Sequence, residues 1–166
     1  MRYFLSLGSN QRDRSHNLSQ ALSSLEKRGI KIINSSSLYE TEPVGVHSFP
    51  WFFNQVIEVD TKFNPLALLE ITKKIEQHMG RKPFRQKKPR VIDIDILLAE
   101  NTVMKTENLI IPHPRLEKRN FVLIPLKEIS PETIHPLLNE KIKDLLKKSD
   151  DKSVVRIVKK RISFKH

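Results

Sequence analysis

The stretch GRKPFRQKKPRVIDIDILL, from Gly80 to Leu98, places two opposite chemistries within a few residues of each other. A basic approach (Arg81, Lys82, Arg85, Lys87, Lys88, Arg90) runs into an apolar segment carrying two carboxylates, Asp93 and Asp95. Side chains alternate faces along an extended strand. Ile92, Ile94 and Ile96 therefore point one way, while Val91, Asp93, Asp95 and Leu97 point the other. The two aspartates become neighbours on one face, where like charge and partial burial both penalise ionisation. A cation is expected beside them, either the upstream Lys and Arg side chains or a hard divalent ion. Mg²⁺ is commonly held by one or two carboxylates together with substrate phosphates, and the basic approach suits phosphates.

Working outward, the segment before this stretch reads as a helix. Asn64 is positioned as its cap, Pro65 as its first residue, Leu68, Ile71, Ile75 and Met79 as one apolar stripe, and Gly80 as its stop. Upstream of that helix, Phe52 to Val59 alternates as a strand. Phe53, Ile57 and Val59 lie on one face, and Phe52, Asn54 and Val56 on the other. Glu40 to Pro50, punctuated by Pro43, Gly45 and Pro50, reads as a loop.

At the start of the chain, Tyr3 to Leu7 is a short strand ending at a Gly8-Ser9-Asn10 turn. A helix follows, capped by Asp13 or Ser15, with Leu18, Ala21, Leu22 and Leu25 inward and Gly29 as the stop. Ile30 to Tyr39 reads as one strand running through the serines. On the other side of the aspartates, Ala99 to Leu109 makes a turn and a short returning strand. Residues Ile111 to Leu126 form a proline-fixed loop and a short buried helix. Leu137 to Leu146 is a helix, and Val154 to Val158 an edge strand. The order βαββαβ favours an antiparallel sheet with helices packed on it, a ferredoxin-like α+β layout.

At 166 residues this is one domain, with a basic C-terminal extension from about residue 147. The net charge of +11 draws anionic partners without identifying them. The chain has no cysteine, so disulfides and thiolate chemistry are excluded. No apolar run approaches a membrane span and the N-terminus lacks a signal peptide, which gives a cytoplasmic expectation with no membrane partner.

No GxxxxGK[ST] or GxGxxG loop is present, so arginines, lysines and metal would have to hold any nucleotide's phosphates. Two metals roughly 3.5 to 4 Å apart can clamp attacking and leaving oxygens in phosphoryl transfer, and Asp93 and Asp95 could hold such a pair. His113 lies between two prolines that fix where its imidazole points. Its reading is open between a loop histidine and a ligand contact. Arg119 and Phe121 are open between site and ordinary surface or core roles. Phe52 beside Asn54 could stack on and hydrogen-bond a flat heterocycle, or belong to a second small core.

The ordered series LGSN (from Leu7), YETEP (Tyr39), FFNQV (Phe52), IEQHMGR (Ile75), PRVIDIDIL (Pro89), IPHPRLEKRNFVLIPL (Ile111) and ISPE (Ile129) resembles one family, 6-hydroxymethyl-7,8-dihydropterin pyrophosphokinase of folate biosynthesis. The resemblance implies a cytoplasmic, monomeric or weakly associating enzyme that transfers the β,γ-pyrophosphoryl group of ATP to the pterin hydroxymethyl, leaving AMP. It implies that Asp93 and Asp95 bind two Mg²⁺ ions, with Asp95 also near the pterin hydroxyl. Asn54 would hydrogen-bond the pterin ring, Phe52 and Phe121 would sandwich it, and Thr41, Glu42, Pro43 and Val44 would line its polar edge. Glu76, Arg81, Arg90, His113 and Arg119 fall where the family contacts ATP, with Arg81 and Arg90 also serving catalysis.

The chain departs from the family pattern before the aspartates. Arg-Gln-Lys-Lys-Pro-Arg from Arg85 replaces an Arg-Trp-Gly-Pro-Arg run, so the tryptophan is missing. Lysine supplies a point charge where arginine supplies a fork. The competing readings are an RNA-binding ferredoxin-like module, which the RRM-type aromatic signature would mark and does not, and a family member that binds pterin without turnover.

Overall fold

The computed structural model describes residues 1–44, 48–80 and 90–161. Strand β1 (Arg2–Ser9) is followed by helix α1 (Arg14–Lys27), then β2 (Lys31–Ser35), β3 (Leu38–Thr41), β4 (Phe52–Asp60), α2 (Pro65–His78) and β5 (Asp93–Ala99). A two-residue ribbon of β6 (Met104–Lys105) and β7 (Ile110–Ile111) leads to a 3₁₀ turn at Leu116–Lys118, then α3 (Asn120–Ile129), α4 (Ile142–Lys148) and β8 (Val155–Lys159). The main sheet runs β5-β1-β4-β3-β8, with β2 also on β4, and every pairing is antiparallel. This is the expected ferredoxin-like arrangement. Among the described residues, no helix is long and apolar enough to cross a membrane.

Each helix of the first half begins where its sequence places a cap. Asp13 accepts the His16 N–H at 3.1 Å, and Asn64 accepts that of Ala67 at 2.9 Å ahead of Pro65. Helix α1 ends at Gly29, whose φ of 82° is open to a residue without a Cβ. Both helices cover one sheet face. Leu18, Ala21, Leu25, Leu68 and Ile75 pack there on Tyr3, Leu5, Leu7, Ile57, Val59, Ile94 and Ile96.

The other face is covered only along part of its length. Helices α3 and α4 supply Val122, Leu123, Leu126, Ile142 and Leu145, which pack on Phe4, Val56, Leu97 and Leu98. Leu97 and Leu98 both reach this core because the β1–β5 register shifts between Phe4 and Leu5. Beyond Val56 and Leu97 the helices stop. The face continues as Ser6, Gly8, Asn54, Asp93 and Asp95, which is where the site lies.

Four local expectations change. Gly8 and Ser9 belong to β1 rather than to a turn. The single strand expected from Ile30 to Tyr39 breaks at Ser36 and Ser37. There the Ser36 hydroxyl, rather than a backbone carbonyl, accepts the Val56 N–H at 2.9 Å, and Ser37 turns to Glu128. Among the described residues, the returning strand after Ala99 pairs with β7 and not with the main sheet. The last helix begins at Ile142 instead of Leu137. Asn139 takes a left-handed φ of 55°, Ile134 bridges Lys141, and Leu137 and Leu138 are exposed, so residues 134–141 form a loop. The basic C-terminal segment is integrated in the fold, since α4 enters the second core and β8 extends the sheet through β3.

Glu128 of α3 holds the strand break in place. Its carboxylate accepts from Ser37 N and Ser37 Oγ, both at 2.6 Å, and from the Tyr39 hydroxyl at 3.1 Å. Burial, reinforced by the Glu128 charge, pushes the Tyr39 phenol well above its ordinary pKa, so it remains a donor. Glu128→Ala orphans these donors and should cost about 3 kcal/mol of stability, read as a lower urea midpoint with an unchanged m-value.

Candidate active site

The uncovered end of the second face is a pocket of about 370 Å³. Its floor is set by strand register. Gly8 of β1 lies opposite Asn54 on one side and Asp93 on the other, and Ser6 lies opposite Val56 and Asp95. A row across three strands thus reads Asp93, Gly8, Asn54, and the next reads Asp95, Ser6, Val56. The small residues of β1 leave the carboxylates and the amide open to the same cavity.

Asn54 is buried, and its Nδ2 donates to the Thr41 hydroxyl at 2.5 Å. This fixes which way the amide faces. A Cβ on Gly8 would stand 2.6 Å from Asn54 Oδ1, so the amide occupies space that only glycine leaves free. Phe52, two positions before Asn54, and Phe121, in the first turn of α3, line the cavity from the sheet and from the helix. Thr41, Glu42, Pro43 and Val44 form the rim, with Phe49 nearby.

The other end is charged. Arg90 Nη1 pairs with Asp93 Oδ2 at 2.9 Å. Arg115 and Arg119 join Arg90 in the lining, and the Arg119 guanidinium lies 5.5 Å from the Phe121 ring centre. Burial first, then the charges of Asp93 and Glu76, pushes Asp95 up to about 7. Burial, and next the charge of Arg115, pushes Arg119 below its ordinary value. Two carboxylates with one ionisation suppressed make a donor set that a divalent cation would relieve. Among the described residues no three His, Cys, Asp or Glu side chains converge as a cage. This suits an ion shared between two carboxylates and substrate phosphates better than a structural metal.

Asn10 ties the charged end together. Its Oδ1 accepts the Arg90 N–H at 2.5 Å, its own N–H donates to the Arg90 carbonyl at 3.1 Å, and its Nδ2 donates to the Pro50 carbonyl at 3.3 Å. The LGSN segment therefore brings the end of the basic approach and the start of β4 to one place.

Of the residues singled out in the sequence, Thr41, Glu42, Pro43, Val44, Phe52, Asn54, Arg90, Asp93, Asp95, Arg119 and Phe121 line this one cavity. Arg81, with the altered run from Arg85, lies outside the described residues. Glu76 and His113 stand beside the lining. Glu76 is buried, and its carboxylate accepts the Ile94 N–H at 3.2 Å on the free edge of β5. The His113 N–H donates to the Leu97 carbonyl at 2.9 Å, and its Nδ1 accepts the Arg115 N–H at 3.2 Å. Burial and the arginine charges hold its pKa below the ordinary value, so the neutral ring carries its proton on Nε2. Sequence reasoning missed Ser6, Gly8, Phe49 and Arg115. The first two carry no functional group that singles them out, and their importance comes from register.

The 7,8-dihydro-6-hydroxymethylpterin-pyrophosphokinase family model matches residues 4–131, more than half of the chain. The chain belongs to this family. It is 43% identical to the 2-amino-4-hydroxy-6-hydroxymethyldihydropteridine pyrophosphokinase of Bacillus subtilis over 127 residues, covering 76% of each chain. The enzyme of the same name from Aquifex aeolicus is 40% identical over 141 residues, 85% of this chain and 88% of that one.

Some relatives are much longer. The folic acid synthesis protein fol1 of Schizosaccharomyces pombe is 42% identical over 146 residues, which are 87% of this chain and 20% of that protein. Among solved structures, Plasmodium falciparum HPPK-DHPS with pteroate superposes with a TM-score of 0.71 at 21% identity, over 89% of this chain and 42% of that one. That likeness supports the ferredoxin-like fold of this pyrophosphokinase family member. The RNA-binding alternative gains no support from these relatives or from a pocket floored by two carboxylates.

Proposed function

We propose that the chain catalyses Mg²⁺-dependent transfer of the β,γ-pyrophosphoryl group of ATP to the hydroxymethyl oxygen of 6-hydroxymethyl-7,8-dihydropterin, releasing AMP. The observation that carries this reading is the joining, in one cavity, of an aromatic and amide end (Phe52, Asn54, Phe121) to a carboxylate and arginine end (Asp93, Asp95, Arg90, Arg115, Arg119). A flat, hydrogen-bonding heterocycle suits the first end and a polyphosphate the second.

In this reading the pterin ring stacks between Phe52 and Phe121, with Asn54 and the Thr41–Val44 rim on its polar edge. Its hydroxymethyl group then points toward Asp95. Asp93 and Asp95 are the residues that would hold two Mg²⁺ ions. When bound, the metal supplies charge neutralisation on the phosphates and polarises the attacking hydroxyl. Arg90 and Arg119 hold the phosphate oxygens, Arg81 is assigned to the same task from its sequence position, and His113 offers a neutral Nε2–H donor. Glu76 keeps the edge of β5 straight through Ile94 and adds negative charge behind Asp95.

The hydroxyl oxygen attacks the β-phosphorus in line, the bond from that phosphorus to the bridging oxygen of AMP breaks, and the hydroxyl proton leaves to solvent. The test is a product assay with ATP, the hydroxymethyl dihydropterin and Mg²⁺. AMP is expected only when all three are present and is expected to vanish with a chelator. ADP in place of AMP would contradict the proposal, as would AMP formation indifferent to pterin.

A further inference from the structure

The family model ends at residue 131, yet the stretch Asp151–Arg156 touches both walls of the pocket. On the helix wall, Asp151 Oδ2 accepts the Asn120 N–H at 2.8 Å, and the Asp151 carbonyl accepts from Asn120 Nδ2 at 2.9 Å. Asn120 lies between Arg119 and Phe121, both of which line the cavity. On the rim wall, the Val154 N–H donates to Glu42 Oε1 at 2.8 Å and the Glu42 N–H donates to the Val154 carbonyl at 3.3 Å.

Two residue pairs further along the register, Arg156 Nε donates to Glu40 Oε1 at 2.9 Å. The Arg156 guanidinium also lies 5.1 Å from the Trp51 ring centre. Glu40 is held from its other oxygen by Arg14 at 3.0 Å, and Arg14 also donates to the Trp51 carbonyl at 2.8 Å. Glu40 immediately precedes Thr41, which orients Asn54, and Trp51 immediately precedes Phe52.

We propose that Asp151–Arg156 is a clamp that sets the separation of the two walls of the pterin end, making Asp151 and Arg156 positioning residues for pterin binding. The inference rests on the proposed pterin pocket. Its physical basis is that the rim leaves the sheet after Thr41 and the helix wall starts at Asn120, and one short stretch is bonded to both. Loss of either attachment lets one wall move relative to the other, widening the gap in which a planar ring must be gripped. The phosphate end stands mainly on β1 and β5 through Asn10, Arg90 and the aspartates; Arg119, next to Asn120 and within reach of the Asp151 charge, shares the helix anchor, while the Arg156 anchor on the rim touches none of these groups.

The test uses the full chain with Arg156→Ala, Asp151→Ala, and Lys159→Ala as a control further along the strand. Affinity for 6-hydroxymethylpterin is measured by calorimetry in the presence of Mg²⁺ and a non-hydrolysable ATP analogue, and affinity for the analogue alone is measured separately. Arg156→Ala and Asp151→Ala are each expected to weaken pterin binding about five- to tenfold, and in Arg156→Ala, whose anchor is remote from Arg119, the analogue changes by less than about twofold. Arg156→Lys is expected to restore only part of the loss, because lysine lacks the fork that reaches Glu40 while stacking on Trp51.

Unchanged pterin affinity in both alanine variants would overturn the clamp. A parallel loss for both ligands in Arg156→Ala, accompanied by a lower unfolding midpoint, would overturn it in favour of a purely structural role. If the wild-type chain itself fails to bind the pterin, the proposed function fails, and the clamp is read by hydrogen exchange in the ligand-free protein. Faster exchange at the Thr41 and Glu42 amides in the variants is then expected, and unaltered exchange would refute it.

Discussion

Asp95→Asn is expected to lower turnover by at least about a thousandfold while leaving the protein at least as stable as the wild type. The two halves of this result have one cause. Asp95 is placed against Asp93 at the floor of a pocket that burial has partly desolvated, and its pKa is pushed up to about 7. An Asp is ionised from about pH 4 in the unfolded chain but only near pH 7 in the folded one, so the folded state binds the extra proton between those values. The stability it lends is present below pH 4, falls as pH rises from about 4 to 7, and is gone above that window.

Asparagine has the same shape and no such penalty. In chelator, the Asn variant's stability relative to wild type should therefore rise with pH across this window, as followed by urea unfolding at several pH values. Added Mg²⁺ should stabilise the wild type at pH 8 and leave the variant unmoved. A variant that turns over at near-normal rate would remove Asp95 from the reaction.

Gly8→Ala is expected to weaken pterin binding at least about a hundredfold, with ATP binding retained. Gly8 is inside a strand, where alanine's backbone is unstrained, so the effect does not come from conformational freedom. It comes from a contact: the new methyl would stand 2.6 Å from Asn54 Oδ1. Asn54 is buried and bonded to Thr41, so it cannot move without breaking that bond and turning its amide away from the cavity. The phosphate end does not depend on this amide. Calorimetry with each ligand separates the two, and equal loss for both, or no loss for the pterin, would contradict the account.

How much of this was legible in the sequence follows from which signals are local. Alternation around IDIDI placed Asp93 and Asp95 on one face, and the same parity argument placed Phe52 with Asn54. Both hold because Ile94 and Ile96 of β5, and Ile57 and Val59 of β4, are buried on the opposite side. The caps at Asp13 and Asn64 were legible for a similar reason, since a cap acts within three residues.

What sequence could not supply was anything set by two distant segments meeting. Gly8 looked like a turn residue because its partner, Asn54, is on another strand. Ser36 and Ser37 looked like continuing strand because the carboxylate that draws Ser37 away comes from Glu128. Leu137 and Leu138 looked like a helix's apolar side, yet Ile142 and Leu145 further along fill the core instead. The role of the C-terminal strand was invisible for the same reason, since Arg156 meets Glu40 across 116 residues of chain.

The fate of the β-phosphorus of ATP separates pyrophosphoryl transfer from transfer of a single phosphoryl group. With ATP labelled at that phosphorus, the hydroxymethyl dihydropterin, Mg²⁺ and the full chain, the label is expected to leave with the pterin as its diphosphate, with AMP released unlabelled in equal amount. Label retained in ADP, with a pterin carrying only a single phosphate, would mean that the pocket transfers one phosphoryl group and not pyrophosphate.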